Sequence, residues 1–336
     1  MRLSTSLQRG IMETTVGGIL NRFKVRSRRL TLFFEDIITE YIMACEQYGC
    51  NKDIRQLTEM WGELLFYKLV PVSFKKLPTP VLIKIAKKSW SNLGILDDIH
   101  VDKKGDTIYV TTRGESITNS IGKNDFMIGF FKGAASALYS SRLNVIGVIQ
   151  NKELCEYQFK LTHEPITIIG KDKSLYDKLN YLEPLDGFIL GDAFRKSTLQ
   201  LRERNRILFR EKRIIIMENT IFQLVGAVNL LLDELPKISY NFFSSVIEKE
   251  SADEQKLNML KNLLQIMGWG AVKIIVRNRG EILLEIKNPP YGLQLEKDNW
   301  HFLNRTILGY LWLLDEGFRI MDINESYKNL NVLYSY

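Results

Sequence analysis

The side chains able to do acid, base, nucleophilic or metal chemistry are scattered along this sequence. A zinc site needs three or four imidazole or thiolate ligands at short spacing, whereas His100, His163 and His301 lie far apart and no CxxC pair exists. Cys45 and Cys50 are five positions apart, so they do not stack on one helix face. Cys155 alternates with Tyr157 and Phe159 in a strand-like apolar pattern, the setting of a small core residue. A nucleophilic thiol needs instead a base and an electropositive setting. The acidic doublets Glu35-Asp36, Asp97-Asp98 and Asp315-Glu316 could supply acid–base pairs, but caps and solvated turns account for such doublets. Gly187 to Asp192 lacks the Lys-hydroxyl ending of a phosphate loop, and Gly268-Trp269-Gly270 precedes a hairpin and has no third glycine. The expectation is a protein with no catalytic residue, no metal and no cofactor.

Large rings are more suggestive than any titratable group. Phe126, Phe130, Phe131 and Tyr139 crowd one helical stretch, and Trp300, Phe302, Tyr310 and Trp312 crowd another. They could line an apolar ligand pocket, or equally form ordinary core or an interface between two halves.

The elements that position these rings occur twice. Arg28 to Glu35 resembles Lys212 to Glu218, and each stretch leads into a helix with one apolar face: Phe34, Ile37, Ile38, Tyr41, Ile42 and Cys45 first, then Ile221, Leu224, Val225, Val228 and Leu232. A second helix runs from Ile54 to Val70 and from Ile238 to Lys249. A third runs from Val81 to Leu93 and from Glu254 to Met267. Hairpins follow, turning at Lys104-Gly105-Asp106 and Asn278-Arg279-Gly280. The ring-rich helix and a strand, Asn144 to Gln150 or Phe318 to Ile323, close each copy. This predicts an α+β fold of two tandem helix-helix-helix-hairpin-helix-strand units, helices packed on antiparallel sheet, forming a pseudodimer. The expected boundaries are a basic N-terminal segment at 1–25, a first repeat at 26–163, a connector with a basic helix at 164–209, and a second repeat at 210–336.

With 336 residues, 45% apolar and 25% charged, the chain can bury two cores. It has no apolar run long enough for a membrane span and no secretory leader pattern, and its three cysteines form no disulfide framework; the expected location is the cytoplasm. The net charge of +7 concentrates in Asn21 to Arg29, with five bases, and in Arg195 to Arg213, with eight bases against Glu203 and Glu211. Such stretches can attract phosphate or an acidic membrane, or lie as a solvated face beside a domain junction.

Asn92-Leu93-Gly94 with its hairpin, Met267-Gly268-Trp269-Gly270 through Lys287-Asn288-Pro289-Pro290-Tyr291, and Ile128-Gly129-Phe130-Phe131-Lys132-Gly133 resemble the 4-vinyl reductase domain family. That family is also called hydrocarbon-binding, and is related to the TRAPP vesicle-tethering subunits. The resemblance implies helices on an antiparallel sheet, an apolar small molecule or protein partner, and pairing of two domains. Only Cys155 stands where some members carry several cysteines, and the second copy has no partner for Gly129.

Two functions follow as expectations. The first is a non-enzymatic ligand-sensing or scaffold protein with Phe126, Phe130, Phe131, Tyr139, Trp300, Phe302, Tyr310 and Trp312 about the ligand, with self-association as a further expectation. The second is a winged-helix-like DNA-binding regulator, with Lys84, Lys87 and Lys88 facing phosphates, Lys103 and Lys104 at the wing tip, and Arg277 and Arg279 on the second turn.

Overall fold

The computed structural model describes residues 2–6, 11–15, 28–69, 77–92, 94–166, 190–203, 206–248, 250–278, 280–290, 292, 299–326 and 329–336. In chain order the first half contains β1 (Arg2–Ser6), β2 (Ile11–Thr15), β3 (Arg28–Phe34), α1 (Glu35–Gln47), α2 (Asn51–Leu69), α3 (Thr79–Asn92), β4 (Asp98–Lys104), β5 (Thr107–Arg113), α4 (Ser116–Ile121), α5 (Asp125–Tyr139), β6 (Ser141–Gln150) and β7 (Leu154–Pro165). Then come α6 (Leu190–Arg195), β8 (Gln200–Arg202), β9 (Arg206–Phe209) and β10 (Lys212–Glu218). The second half continues with α7 (Thr220–Ala227), α8 (Leu235–Val246), α9 (Asp253–Ile266), β11 (Ala271–Asn278), β12 (Glu281–Lys287), α10 (His301–Leu311), β13 (Arg319–Glu325) and β14 (Asn329–Ser335).

Each half builds a four-stranded antiparallel sheet in the same spatial order, β4-β5-β7-β6 and β11-β12-β14-β13. Period-two burial makes these sheets one-sided: Ile108, Val110 and Thr112 face the helices in β5, and Ile282, Leu284 and Ile286 do so in β12. A third sheet, β1-β2-β3-β10-β9-β8, joins the halves. Its central pair, β3 and β10, runs antiparallel with Leu32 opposite Ile216. Leu30, Leu32, Phe33 and Phe34 are buried, as are Ile214 to Met217, so both faces of this pair lie in core and the sequence shows continuous apolar runs there.

The central strands cross over to the opposite half. Leu32 of β3 donates its backbone N–H to the Met267 carbonyl at 2.9 Å and accepts from Trp269 Nε1 at 3.1 Å. In return, Glu218 of β10 accepts from Trp61 Nε1 at 3.2 Å, and Arg213 donates to the Gly94 carbonyl at 2.7 Å.

The ring-rich helices pack against the second helix of their own half, and glycine sets the spacing. A Cβ on Gly133 of α5 would overlap the Glu59 carbonyl of α2; one on Gly309 of α10 would overlap the Pro236 carbonyl of α8. Gly129, unmatched in the second half, makes a further close approach to Arg55 and Thr58.

Three readings of the sequence change. Among its described residues, the stretch beyond Arg195 up to Arg213 holds strands β8 and β9 and the start of β10 where a basic helix is expected: Ile207 and Phe209 are buried and alternate with Arg206 and Leu208, and interspersed arginines obscure that alternation. Each half has a second strand beyond the expected closing one: Leu154–Pro165 is an inner strand of the first sheet, and Asn329–Ser335 occupies the same place in the second. Strands β1 and β2 and the short helix α4 are additions to the expected order. Leu93, Arg279, Tyr291 and half of the proposed connector, at 167–189, lie outside the described residues.

Candidate functional site

The eight rings do not converge on one site. Phe126 and Phe130 border a cavity of about 20 Å³ in the first half, bounded also by Trp61, Ile95 and, from the crossed strand β10, Ile215 and Met217. Tyr310 borders a cavity of about 20 Å³ in the second half with Phe34, Trp269, Ile307 and the crossed residue Phe33. Phe131 borders a third void, about 30 Å³, between α3, α5 and the first hairpin. Trp300 and Phe302 border a fourth, about 10 Å³. Tyr139 lies half-buried beneath Lys103, and Trp312 packs edge-on to Tyr240 while donating its Nε1–H to the Phe318 carbonyl at 3.1 Å.

Several of the rings pack into three aromatic clusters, one of which joins Tyr310 through Phe243 to Phe34, Phe209 and Phe242. Trp61, Trp90, Phe130, Phe131 and Tyr157 form a chain of tilted and edge-on contacts with centroids 4.7 to 6.0 Å apart. In another, Phe33, Phe222, Phe302 and Tyr41 connect the crossed strand with α7, α10 and α1. The first three voids are almost entirely apolar in lining, and each is near the size of one water, so a ligand enters only by displacing side chains.

Polar groups inside the fold form three sets. Glu35, on α1, accepts from Ser116 at 2.6 Å and from Ser120, and pairs with Arg213 Nε at 3.1 Å. Burial weakens the hold of Arg213 on its proton, and the Glu35 carboxylate acts against that loss. Glu115 accepts from Thr112, from Thr118 at 2.6 Å and from Tyr157 at 2.9 Å, with no cation in contact among these groups. Burial there raises its carboxyl above the ordinary value despite those donors, and pushes the neighbouring Cys155 thiol up to about 11. A thiol so held is a poor nucleophile at neutral pH. The third set is incomplete. Asn219 Nδ2 and both amide atoms of Gln223 are buried without a hydrogen-bond partner, and both residues line the fourth void.

The basic residues of the DNA-binding expectation lie at the surface. Lys84, Lys87 and Lys88 are exposed on α3, with Lys87 bound to Asp98 at 2.6 Å. Lys103 and Lys104 lie over Tyr139 and Tyr109, Lys104 also reaches Asp102 at 3.8 Å, and Arg277 is exposed. Trp90, on the same helix, is core. Among the described residues no three His, Cys, Asp or Glu side chains gather as metal ligands, and no helix is long and apolar enough to cross a membrane.

No protein-family model matches the chain, and no curated protein does. Among solved structures it is similar to a trafficking protein particle complex subunit 3 from Naegleria fowleri, covalently bound to palmitic acid. The TM-score is 0.30 at 8% identity, over 40% of this chain and 98% of that one. A likeness of that size fixes neither fold nor function for this chain.

Proposed function

We propose that the chain is a non-enzymatic binder of an apolar small molecule, built as two copies of one α+β unit paired through the β3–β10 strands. The observation that carries this reading is the repeated placement of an apolar cavity. In each half it lies between the closing helix, the turn that ends the third helix, and a strand contributed by the other half. Phe126 and Phe130 would contact ligand in the first copy, and Tyr310 in the second. Both cavities are too small for a ligand as they stand, so binding would spread the closing helix from the crossed strand. A ligand that did so would alter how the halves pair, which is the form a sensor or scaffold requires.

Native mass spectrometry of the purified full chain, with titration of the fluorophore N-phenyl-1-naphthylamine, tests the reading. Saturable binding that weakens in Met217→Phe and Ile307→Phe supports it. No co-purified apolar molecule together with no saturable fluorescence would overturn it. The nucleic-acid alternative has less behind it, because Asp98 and Asp102 share the face of the lysines that would meet phosphate.

A further inference from the structure

We propose that the small void beside α7 receives the uncharged amide or hydroxyl end of an otherwise apolar molecule, held by Asn219 and Gln223. Asn219 is 3% and Gln223 2% exposed. Thr31 donates to Asn219 Oδ1 at 2.8 Å, which leaves the Nδ2 donor without a partner; Gln223 has neither its donor nor its acceptor engaged. Native cores rarely leave so many buried polar atoms unpaired in one place, and the two residues that carry these three line one void. A third amide there, Asn299, is already used by the backbone N–H of His301 at 3.0 Å.

The other half supplies the contrast. Glu35 and Thr39 lie in the first turns of α1, the helix that follows β3 as α7 follows β10, and every group there is met from within the protein. Ser116, Ser120 and Arg213 engage the Glu35 carboxylate, and the Thr39 hydroxyl donates to the Glu35 carbonyl at 3.0 Å. The set around Glu35 is completed by Ser116 and Ser120 of its own half and by Arg213 crossing from β10; the set in the second half leaves two donors and one acceptor unpaired beside a void.

The chemistry of the guest follows from the walls. Among the described residues no charged side chain lines the void, so an ion there would be desolvated with none of them to neutralise it. A neutral group that both accepts and donates matches the three free atoms. At about 10 Å³ the space admits only the tip of a molecule. Phe33 is a wall of both this void and the larger apolar cavity of the same half, so the remainder has apolar surface next door. The inference deepens the proposed apolar binding by giving the ligand one polar end, and it rests on that reading only for the apolar remainder.

Side-chain amide ¹H–¹⁵N spectra of the full chain, titrated separately with butyramide, butyrate and 1-chlorobutane, test it. Butyramide is expected to shift the Asn219 and Gln223 resonances saturably. Butyrate and the Gln223→Leu variant should each weaken that binding roughly tenfold or more, the scale of a lost buried hydrogen bond. Asn219→Ser serves as the second variant if Gln223→Leu fails to fold by circular dichroism. Failure of butyramide to shift these resonances, a buried water alone in the void, or equal binding of 1-chlorobutane there would each overturn the assignment. Binding of 1-chlorobutane only at the apolar cavities would leave the broader reading standing and remove this one.

Discussion

Replacing Gly133 by alanine asks how closely α2 and α5 approach, and the two possible answers have opposite signs. In a helix interior with free space, alanine is more favourable than glycine by about 1 kcal/mol. Here the added methyl would overlap the Glu59 carbonyl oxygen, with the Glu59 carbonyl carbon at 2.8 Å and the Glu63 nitrogen at 2.9 Å. All three are backbone atoms of a packed helix and cannot rotate away. Helix α2 must therefore shift as a body, disturbing the Lys132–Glu59 and Arg142–Glu63 pairs, each at 2.8 Å. Overpacking a core costs about 1–3 kcal/mol, and rigid obstruction belongs at the upper end, so the net loss is about 2 kcal/mol after the gain in helix propensity. Urea unfolding followed by circular dichroism measures this as a lowered midpoint at unchanged slope. Gly309→Ala should behave alike, since its methyl meets Ser239 Cβ at 2.5 Å and Tyr240 N at 2.9 Å. A midpoint that rises in either variant would refute the packing argument for that pair of helices.

Three further outcomes follow from the buried polar groups. Glu115 has a folded-state pKa above its unfolded value of about 4.3, so the stability it contributes is present below that value and is lost as pH rises through the raised one. Glu115→Gln should flatten that fall in the urea midpoint, and an unchanged pH profile would contradict it. Glu35→Ala should destabilise by about 3 kcal/mol or more by leaving Arg213 buried and unpaired, whereas Glu35→Leu with Arg213→Met should recover much of the loss. Equal unfolding midpoints for the single and double variants would count against a buried pair. Iodoacetamide at pH 8, read by mass spectrometry, should modify Cys50 before Cys45 and Cys155, because the latter two are buried with thiols pushed up to about 12 and about 11; rapid native labelling of Cys155 would be inconsistent with its burial.

The hairpins and closing helices were legible because their periods are unambiguous: Ile108 and Val110 alternate up to a glycine turn, and Phe126, Phe130 and Ala134 fall on one helical face. The β8–β9 arm was not, since a three-residue strand followed by arginines at Arg202 and Arg206 leaves too few apolar positions to set a period. Crossing of β3 and β10 has no local signature either; the nearest sign is that both are apolar on consecutive positions, as a strand with two buried faces must be. Of the candidate site, the rings were visible but their division among four voids was not, because ring spacing reports a helix face and not what packs opposite it. Asn219 and Gln223 escaped notice because a lone amide beside Ile221, Leu224 and Val225 reads as the polar margin of an amphipathic helix.

The exchange of β3 and β10 bears on the order in which the chain can assemble during translation. When Leu154–Pro165 leaves the ribosome, the first sheet can pair, yet the cavity over Trp61 and Phe130 still lacks Ile215 and Met217, which are synthesised later. Phe33 and Phe34 meanwhile wait for the helices α9 and α10, made later still. Nascent protein must therefore hold one apolar surface open until β10 is made and the other until α10 is made, a condition that favours slow, non-local folding and reliance on chaperones.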